Sequence, residues 1–204
     1  SSDLDINLEP GSLMIKVGSD GDSIHIRNFD IRDPYSNPTF ESFNFADGTS
    51  LSWNEFLALG FNVVGTNFDD DLWGADGADT FDAKGGNDFI QARDGDDVIL
   101  GGAGNDVIWA QGGADTIDAG GGDDQIYGGR GNDTYVFDPL TAGPLPNGAP
   151  TGVDFIIDYD PTAGNVDTLK LGYTPSDFKI TRDTSNVYLT GANPSLLQIT
   201  IGNQ

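Results

Sequence analysis

Between residues 65 and 136 the apolar positions recur with a period of nine and never slip. Eight consecutive nonapeptides run from GTNFDDDLW to GGRGNDTYV. Their eighth position is always large and apolar or aromatic: Leu72, Phe81, Ile90, Ile99, Ile108, Ile117, Ile126 and Tyr135. Their sixth is always Asp: Asp70, Asp79, Asp88, Asp97, Asp106, Asp115, Asp124 and Asp133. The fourth is Gly in seven of eight, Phe68 being the exception. Nine residues divide into a tight six-residue turn and a three-residue strand, whose alternation points position eight inward and positions seven and nine outward. Two nonapeptides then make one coil, with a thin aliphatic core between two short sheets. Self-similarity at a fixed short period is the signature of a solenoid.

The flanks follow a different, two-residue alternation. Leu4, Ile6, Leu8, then Leu13, Ile15, Val17, then Ile24 and Ile26, separated by Pro10-Gly11 and Gly18-Ser-Asp-Gly-Asp, predict three antiparallel strands. A further strand is expected at 43–45. Ser52-Trp-Asn-Glu55 has the form of a capping box, and Gly60 is a stop, so one short helix is expected over about 52–59. Residues 138–151, rich in Pro and Gly, predict a loop. Short strands are expected at 153–158, 168–171, 178–181, 187–189 and 197–201. Three segments result: 1–60, an N-terminal β flank; 61–136, the roll; and 137–204, a capping β flank. A longer repeat links the ends, since Ser2-Asp-Leu-Asp-Ile matches Ser176-Asp-Phe-Lys-Ile and the next two strands match with a one-residue slip. This predicts that the chain is about one period of an array, and the start at Ser1-Ser2-Asp3 reads as internal to a longer protein.

Charge changes the picture. The net charge is −24, from 33 acidic and nine basic residues. Nucleic acid and anionic membrane surfaces, which need clustered Lys and Arg, are poor partners for such a chain, and no nucleic acid is expected. The repeat block alone has 16 Asp against Lys84, Arg93 and Arg130, a net of −13. Cysteine is absent, so neither a disulfide nor a thiolate metal site can stabilise the chain. No apolar run is long enough to span a membrane.

In an 18-residue coil each turn stacks on the turn two repeats earlier, which sorts the carboxylates into two ladders. One holds Asp70, Asp88, Asp106 and Asp124; the other Asp79, Asp97, Asp115 and Asp133. At the strand spacing of about 4.7–4.9 Å these charges repel. A hard divalent cation with several oxygen ligands resolves this, and Ca²⁺ suits better than Mg²⁺, which keeps its waters and demands an octahedron. A solvated acidic face or Asx turns would leave Asp at one position of nine unexplained.

The pattern G-G-x-G-x-D-x-U-x resembles that of the repeats-in-toxin family, haemolysin-type calcium-binding proteins secreted by Gram-negative type I systems. Phe45-Ala-Asp-Gly-Thr and the stretch from Asp133-Thr-Tyr-Val-Phe to Val153-Asp-Phe-Ile-Ile-Asp158 are similar to segments bordering such blocks. The resemblance implies an all-β fold, a right-handed parallel β-roll, with Ca²⁺ between stacked turns. It implies that each ion takes two Asp and the carbonyls of positions two and four of one turn and one and three of the next coil's turn. Carried over, Asp70–Asp88 would use Thr66, Phe68, Ala83 and Gly85; Asp88–Asp106 would use Lys84, Gly86, Gly101 and Ala103; and Asp106–Asp124 would use Gly102, Gly104, Ala119 and Gly121. In the other ladder Asp79–Asp97 would use Ala75, Gly77, Ala92 and Asp94; Asp97–Asp115 would use Arg93, Gly95, Ala110 and Gly112; and Asp115–Asp133 would use Gln111, Gly113, Gly128 and Arg130. Six ions follow, enough to offset 12 of the 13 charges. The first repeat departs most, with Thr66 and Phe68 where Gly is expected. Non-Gly residues at positions one and two, such as Ala83-Lys84, are expected to point to solvent.

Asp154 and Asp158 lie just past the last coil, where an end site or a plain strand edge is expected. Trp73, Phe89, Trp109 and Tyr127 share one outer sheet face, expected to be covered by the Trp53 helix or a flanking strand. His25 reads as a solvent-facing strand residue. No H-E-x-x-H, G-x-S-x-G or phosphate-cradling loop occurs, so an enzyme is not expected. Asp-Pro bonds occur at Asp33, Asp138 and Asp160, and the residues after Asp138-Pro139 do not continue in the calcium-loop pattern that would suggest self-cleavage. The leading reading is a monomeric, calcium-induced folding module of a large secreted toxin, exoenzyme or adhesin, whose partners are calcium and the type I apparatus. The alternative is an adhesin-type module binding glycan or another cell-surface ligand through an exposed sheet face.

Overall fold

Inward-facing isoleucines at a nine-residue period, with a bend between them, wind the chain into a two-sheet solenoid. The computed structural model describes residues 4–9, 12–17, 22–27, 29–35, 42–45, 47–137, 153–158, 166–172, 178–182, 186–191 and 198–202. The N-terminal flank holds β1 (Leu4–Glu9), β2 (Ser12–Val17), β3 (Asp22–Arg27), the hairpin β4 (Ser42–Asn44) and β5 (Ser50–Ser52), α1 (Trp53–Leu57) and β6 (Asn62–Val64). The roll holds β7 (Asp71–Trp73), β8 (Thr80–Asp82), β9 (Phe89–Asp94), β10 (Val98–Ala103), β11 (Val107–Gly112), β12 (Thr116–Gly121), β13 (Gln125–Arg130) and β14 (Thr134–Phe137). Beyond it come β15 (Val153–Ile157), β16 (Thr168–Leu171), β17 (Phe178–Arg182), β18 (Asn186–Gly191) and β19 (Gln198–Gly202). The expected loop at 138–151 lies outside the described residues.

Alternate strands go to alternate sheets. One sheet runs β16-β14-β12-β10-β8-β6-β1-β2-β3, the other β17-β18-β19-β15-β13-β11-β9-β7. Within the roll the pairing is parallel at an 18-residue offset, as in Ile99↔Ile117 and Ile108↔Ile126. The fold is a parallel β-solenoid of about four coils with one short helix.

Two expectations need correction. From β9 to β13 the strands are six residues long, not three, because each continues through positions one to three of the next repeat. Position one is therefore inward like position eight. Ala83, Ala92, Ala110 and Ala119 are buried beside Ile90, Ile99, Ile108 and Ile117 and do not face solvent. A core only two side chains thick has room there for Ala or Gly alone. The strand continues because position two takes positive φ, even at Lys84 (78°), Arg93 (84°) and Gln111 (81°).

The ends are built differently. At the N-terminus the Ser52 hydroxyl and Glu55 carboxylate form the expected capping box on α1. Trp53 and Phe56 pack among Phe29, Phe43 and Phe61, closing the core's first layer. β1 pairs parallel with β6, and β19 pairs parallel with β15. The longer repeat appears as two three-stranded antiparallel meanders. Leu4↔Val17 corresponds to Phe178↔Gly191, both partners displaced by 174 residues (178 − 4 and 191 − 17). Ser12↔Arg27 corresponds to Asn186↔Gly202, displaced by 174 and 175, which is the one-residue slip.

Candidate metal centre

The invariant Asp sits at the end of each turn, just before its strand, and points into the seam between coils. There its Oδ1 accepts from the backbone N–H of the Asp one coil earlier. Asp88 N donates to Asp106 Oδ1 (2.8 Å), Asp97 N to Asp115 Oδ1 (2.9 Å), Asp106 N to Asp124 Oδ1 (2.8 Å) and Asp115 N to Asp133 Oδ1 (3.0 Å). The carboxylates form the two expected ladders, and from Asp79 onward each is at most 2% exposed.

The other oxygen differs along the roll. Oδ2 of Asp88, Asp97, Asp106, Asp115 and Asp124 is buried and accepts no hydrogen bond. A buried carboxylate oxygen left so is costly, by several kcal/mol where the group stays charged. Burial is the main reason the carboxyls are pushed up, to about 8 for Asp97 and about 7 for Asp106 and Asp115, with neighbouring Asp charges adding to it. Asp88 is shifted the same way by the same causes. The space beside Oδ2 is tight and lined by oxygen. A Cβ placed on Gly101 would lie 2.8 Å from Asp106 Oδ2 and 2.4 Å from the Ala119 carbonyl oxygen, the position-one carbonyl of the next coil. An unsatisfied anion facing a carbonyl is a cation seat, and a donor set made wholly of carboxylate and carbonyl oxygen suits Ca²⁺.

Not every implied ligand is equally free. The position-three carbonyls of Ala103, Gly112, Gly121 and Arg130 each accept the position-four N–H of the coil before, as in Gly104 N to Gly121 O (2.7 Å). The Lys84 carbonyl accepts from Ala103 N, and that of Thr66 from Gly85 N. Positions two and four take positive φ from the third turn to the eighth: Lys84 and Gly86, Arg93 and Gly95, Gly102 and Gly104, Gln111 and Gly113, Gly120 and Gly122, Gly129 and Gly131. Thr66, Phe68, Ala75 and Gly77 in the first two turns do not. In those turns Oδ2 is taken. Asp70 Oδ2 accepts from Thr66 N (2.6 Å) and Oγ1 (2.9 Å), and Asp79 Oδ2 accepts from Ala75 N (2.6 Å).

Sequence reasoning missed a second ladder at position five. Asn87 N donates to Asp69, Asn105 N to Asn87, Asp123 N to Asn105 and Ala114 N to Asp96, all at 2.8 Å. Six Asx residues among eight fifth positions were the available signal. It also missed Asp167, which with Asp133 and Asp158 forms a group whose carboxylate oxygens lie within 4.8 Å of one another. Burial raises Asp158, and its Oδ2 accepts from the Tyr135 hydroxyl (3.0 Å).

Along the aromatic face Trp73 meets Phe89, with the Arg32 and Arg93 guanidinium groups over its ring. Trp109 remains 41% exposed, stacked on Tyr127 at 4.0 Å. His25 is exposed, beside the Ser23 hydroxyl. Among the described residues no helix is long and apolar enough to cross a membrane.

The arrangement is a parallel β-solenoid that gathers paired carboxylates and backbone carbonyls for hard cations. The class of the roll follows: residues 62–135 match the family of RTX calcium-binding nonapeptide repeats. Residues 13–55 match the haemolysin-type calcium-binding protein related domain. No curated protein matches the chain. Among solved structures it is similar to the solution structure of the AlgE6R3 subunit of Azotobacter vinelandii mannuronan C5-epimerase. The identity is 22% over 67% of this chain and 72% of that one, with a TM-score of 0.29.

Proposed function

We propose that the chain is a calcium-dependent folding module of a larger secreted protein. The observation that carries this is the row of buried carboxylate oxygens, at Asp88, Asp97, Asp106, Asp115 and Asp124, that no hydrogen bond satisfies. The four gaps between Asp88 and Asp106, Asp97 and Asp115, Asp106 and Asp124, and Asp115 and Asp133 share one construction and would hold Ca²⁺. Bound there, calcium supplies positive charge that offsets adjacent carboxylates. This chain's residues do the rest. Asp Oδ1 ties each coil to the previous one, the isoleucine row buries the core, and the flanks 1–60 and 137–204 cap the roll 61–136.

The functional consequence is linkage. A ligand that binds the folded roll and not the open chain drives folding by mass action. Extracellular calcium modules have Kd values of about 10⁻⁴ to 10⁻³ M. At the calcium level of a cytosol the chain, at −24, stays open and suited to one-step type I export; outside the cell it winds up. A calcium titration followed by far-UV circular dichroism, with magnesium as control, tests this. A β signal that rises in millimolar calcium and not in magnesium is expected, and an equal response to both would overturn it.

A second reading, a binding face for glycan, is favoured by the Trp109–Tyr127 stack. The pair lines an open groove of about 790 Å³ with Phe89, Gln91 and Ile157. Soluble oligosaccharide should then shift tryptophan emission in the calcium-loaded chain and fail to do so in Trp109→Ala.

A further inference from the structure

The strands that follow the repeats continue both ladders. Asp124 N donates to Asp154 Oδ1 (3.1 Å) and Asp133 N to Asp167 Oδ1 (3.0 Å), the same bond that joins the repeat turns. The position-five ladder continues with them: Val153 N donates to Asp123 Oδ1 and Val166 N to Asn132 Oδ1, both at 2.8 Å. Strand register agrees, with Ile126↔Ile156 and Tyr135↔Leu169. Val153-Asp-Phe-Ile156 and Val166-Asp-Thr-Leu169 are therefore positions five to eight of a ninth and a tenth turn. They escape the nine-residue period because 30 and 34 residues, not 18, separate their Asp from the one below.

The opposite end stops sooner. Tracing one coil back from Asp79 reaches Phe61, whose N–H donates to Asp79 Oδ1 (2.6 Å) and whose buried ring stands where a carboxylate would. Asp79 Oδ2 and Asp70 Oδ2 are already held by the position-two amides of their own turns, which lack the positive-φ bend.

We propose that the cation array is displaced one coil toward the C-terminus relative to the repeats. The gaps Asp70–Asp88 and Asp79–Asp97 take no ion, and two further sites lie at Asp124–Asp154 and at Asp133–Asp158–Asp167, outside the repeat block. This rests on the calcium reading above. At the first new site Asp124 is 1% exposed and Asp154 2%, Asp154 Oδ1 accepts from Asp124 N, and Asp124 Oδ2 is buried and accepts no hydrogen bond. A buried carboxylate oxygen without a donor, in a seam shared with a second buried carboxylate, needs a positive charge beside it. At the second, Asp158 Oδ1 is buried without a hydrogen bond, beside the Asp133 and Asp167 oxygens. The total stays at six, one for each turn from the third to the eighth, the turns that share the paired positive-φ bends.

Counting bound calcium per chain, by native mass spectrometry and equilibrium dialysis of the full chain, decides it. Asp154→Asn keeps the Oδ1 acceptor for Asp124 N and should lower the count from six to five; Asp167→Asn should do the same. Asp79→Asn and Asp70→Asn should leave it at six. A count of five in Asp79→Asn, or of six in a folded Asp154→Asn, would overturn the displacement. If Asp154→Asn does not fold in calcium, Asp79→Asn decides alone. Wild-type chain that binds no calcium would overturn the calcium reading itself, a result separable from all of these.

Discussion

The two ends of the roll are made from the same repeat yet solve opposite problems. At the N-terminal end the first carboxylate of each ladder is satisfied by amides, from Thr66 and Ala75 within the turn and from Phe61 below. Trp53, Phe56 and Phe61 then seal the core with rings. At the C-terminal end Asp124 and Asp133 meet further carboxylates, Asp154, Asp158 and Asp167. One end is closed by hydrogen bonds and apolar packing alone; the other brings together charges that only a cation reconciles. The solenoid is thus directional: its N-terminal cap is built to stand without metal, its C-terminal cap to depend on it.

The largest test of that asymmetry removes the charged end. A chain lacking residues 137–204 loses Asp154 and Asp167 and bares Ile126, Tyr135 and the last strand edges. It should show no β gain by circular dichroism in millimolar calcium. A truncated chain that still folds would show that the amide-closed end suffices.

Proton dependence should separate the two chemistries next. Asp97 is raised to about 8 and Asp106 and Asp115 to about 7, against about 4 in an open chain. A carboxyl whose pKa is higher in the fold than in the open chain favours the fold when protonated. That contribution is complete below about pH 4 and disappears as pH rises through 7 to 8. In chelator, acidification from pH 8 to 5 should therefore increase β content. With calcium present but not saturating, calcium bound per folded chain should fall over the same range, since protons compete for the same oxygens. Bound calcium indifferent to pH would remove the ladder carboxylates from the coupling.

Inside the roll the stacking distance itself can be attacked. Gly104 has φ +134°, and a Cβ there would lie 1.7 Å from the Gly86 carbonyl oxygen one coil below. Gly104→Ala must strain the backbone and push the coils apart, at a cost of about 3 kcal/mol or more. Gly48, in the β4–β5 hairpin, also has positive φ (88°), but a Cβ there meets nothing within 4 Å. Gly48→Ala should cost about 1 kcal/mol. Denaturant unfolding of the calcium-loaded chains compares them; equal losses would mean that the coils are not tightly stacked.

How much of this could be read from residues follows a physical divide. The nine-residue period, the Asp ladders and the isoleucine row are local regularities, and each is in place. So is the capping box at Ser52 and Glu55, whose two bonds span three residues. The 174-residue correspondence between Leu4↔Val17 and Phe178↔Gly191 was visible as weak similarity because both meanders keep one register. What stayed hidden depends on the partner turn rather than on the turn itself. Asp70 and Asp79 carry the repeat's signature, yet their oxygens are spent on amides because positions two and four lack the bend. Asp167 carries the signature's last four positions, yet 34 residues separate it from Asp133 and no period reveals it. The inward turn of Ala83, Ala92, Ala110 and Ala119 needed the φ at the residue that follows.

The smallest effect belongs to the N-terminal cap and sharpens the comparison most directly. Ser52→Ala removes the hydroxyl that accepts from Glu55 N and donates to Glu55 Oε2 (2.7 Å). Losing an N-cap costs about 1 kcal/mol. The helix it starts packs Trp53 and Phe56 over the first layer of the core, far along the roll from Asp154 and Asp167. The variant should therefore lower Tm by a few degrees in saturating calcium while binding as many ions as the wild type and with the same slope of Tm against calcium concentration. Because that slope reports how many ions bind the folded form alone, a change in it would mean that the amide-closed end shares in the metal chemistry and that the two caps are not independent.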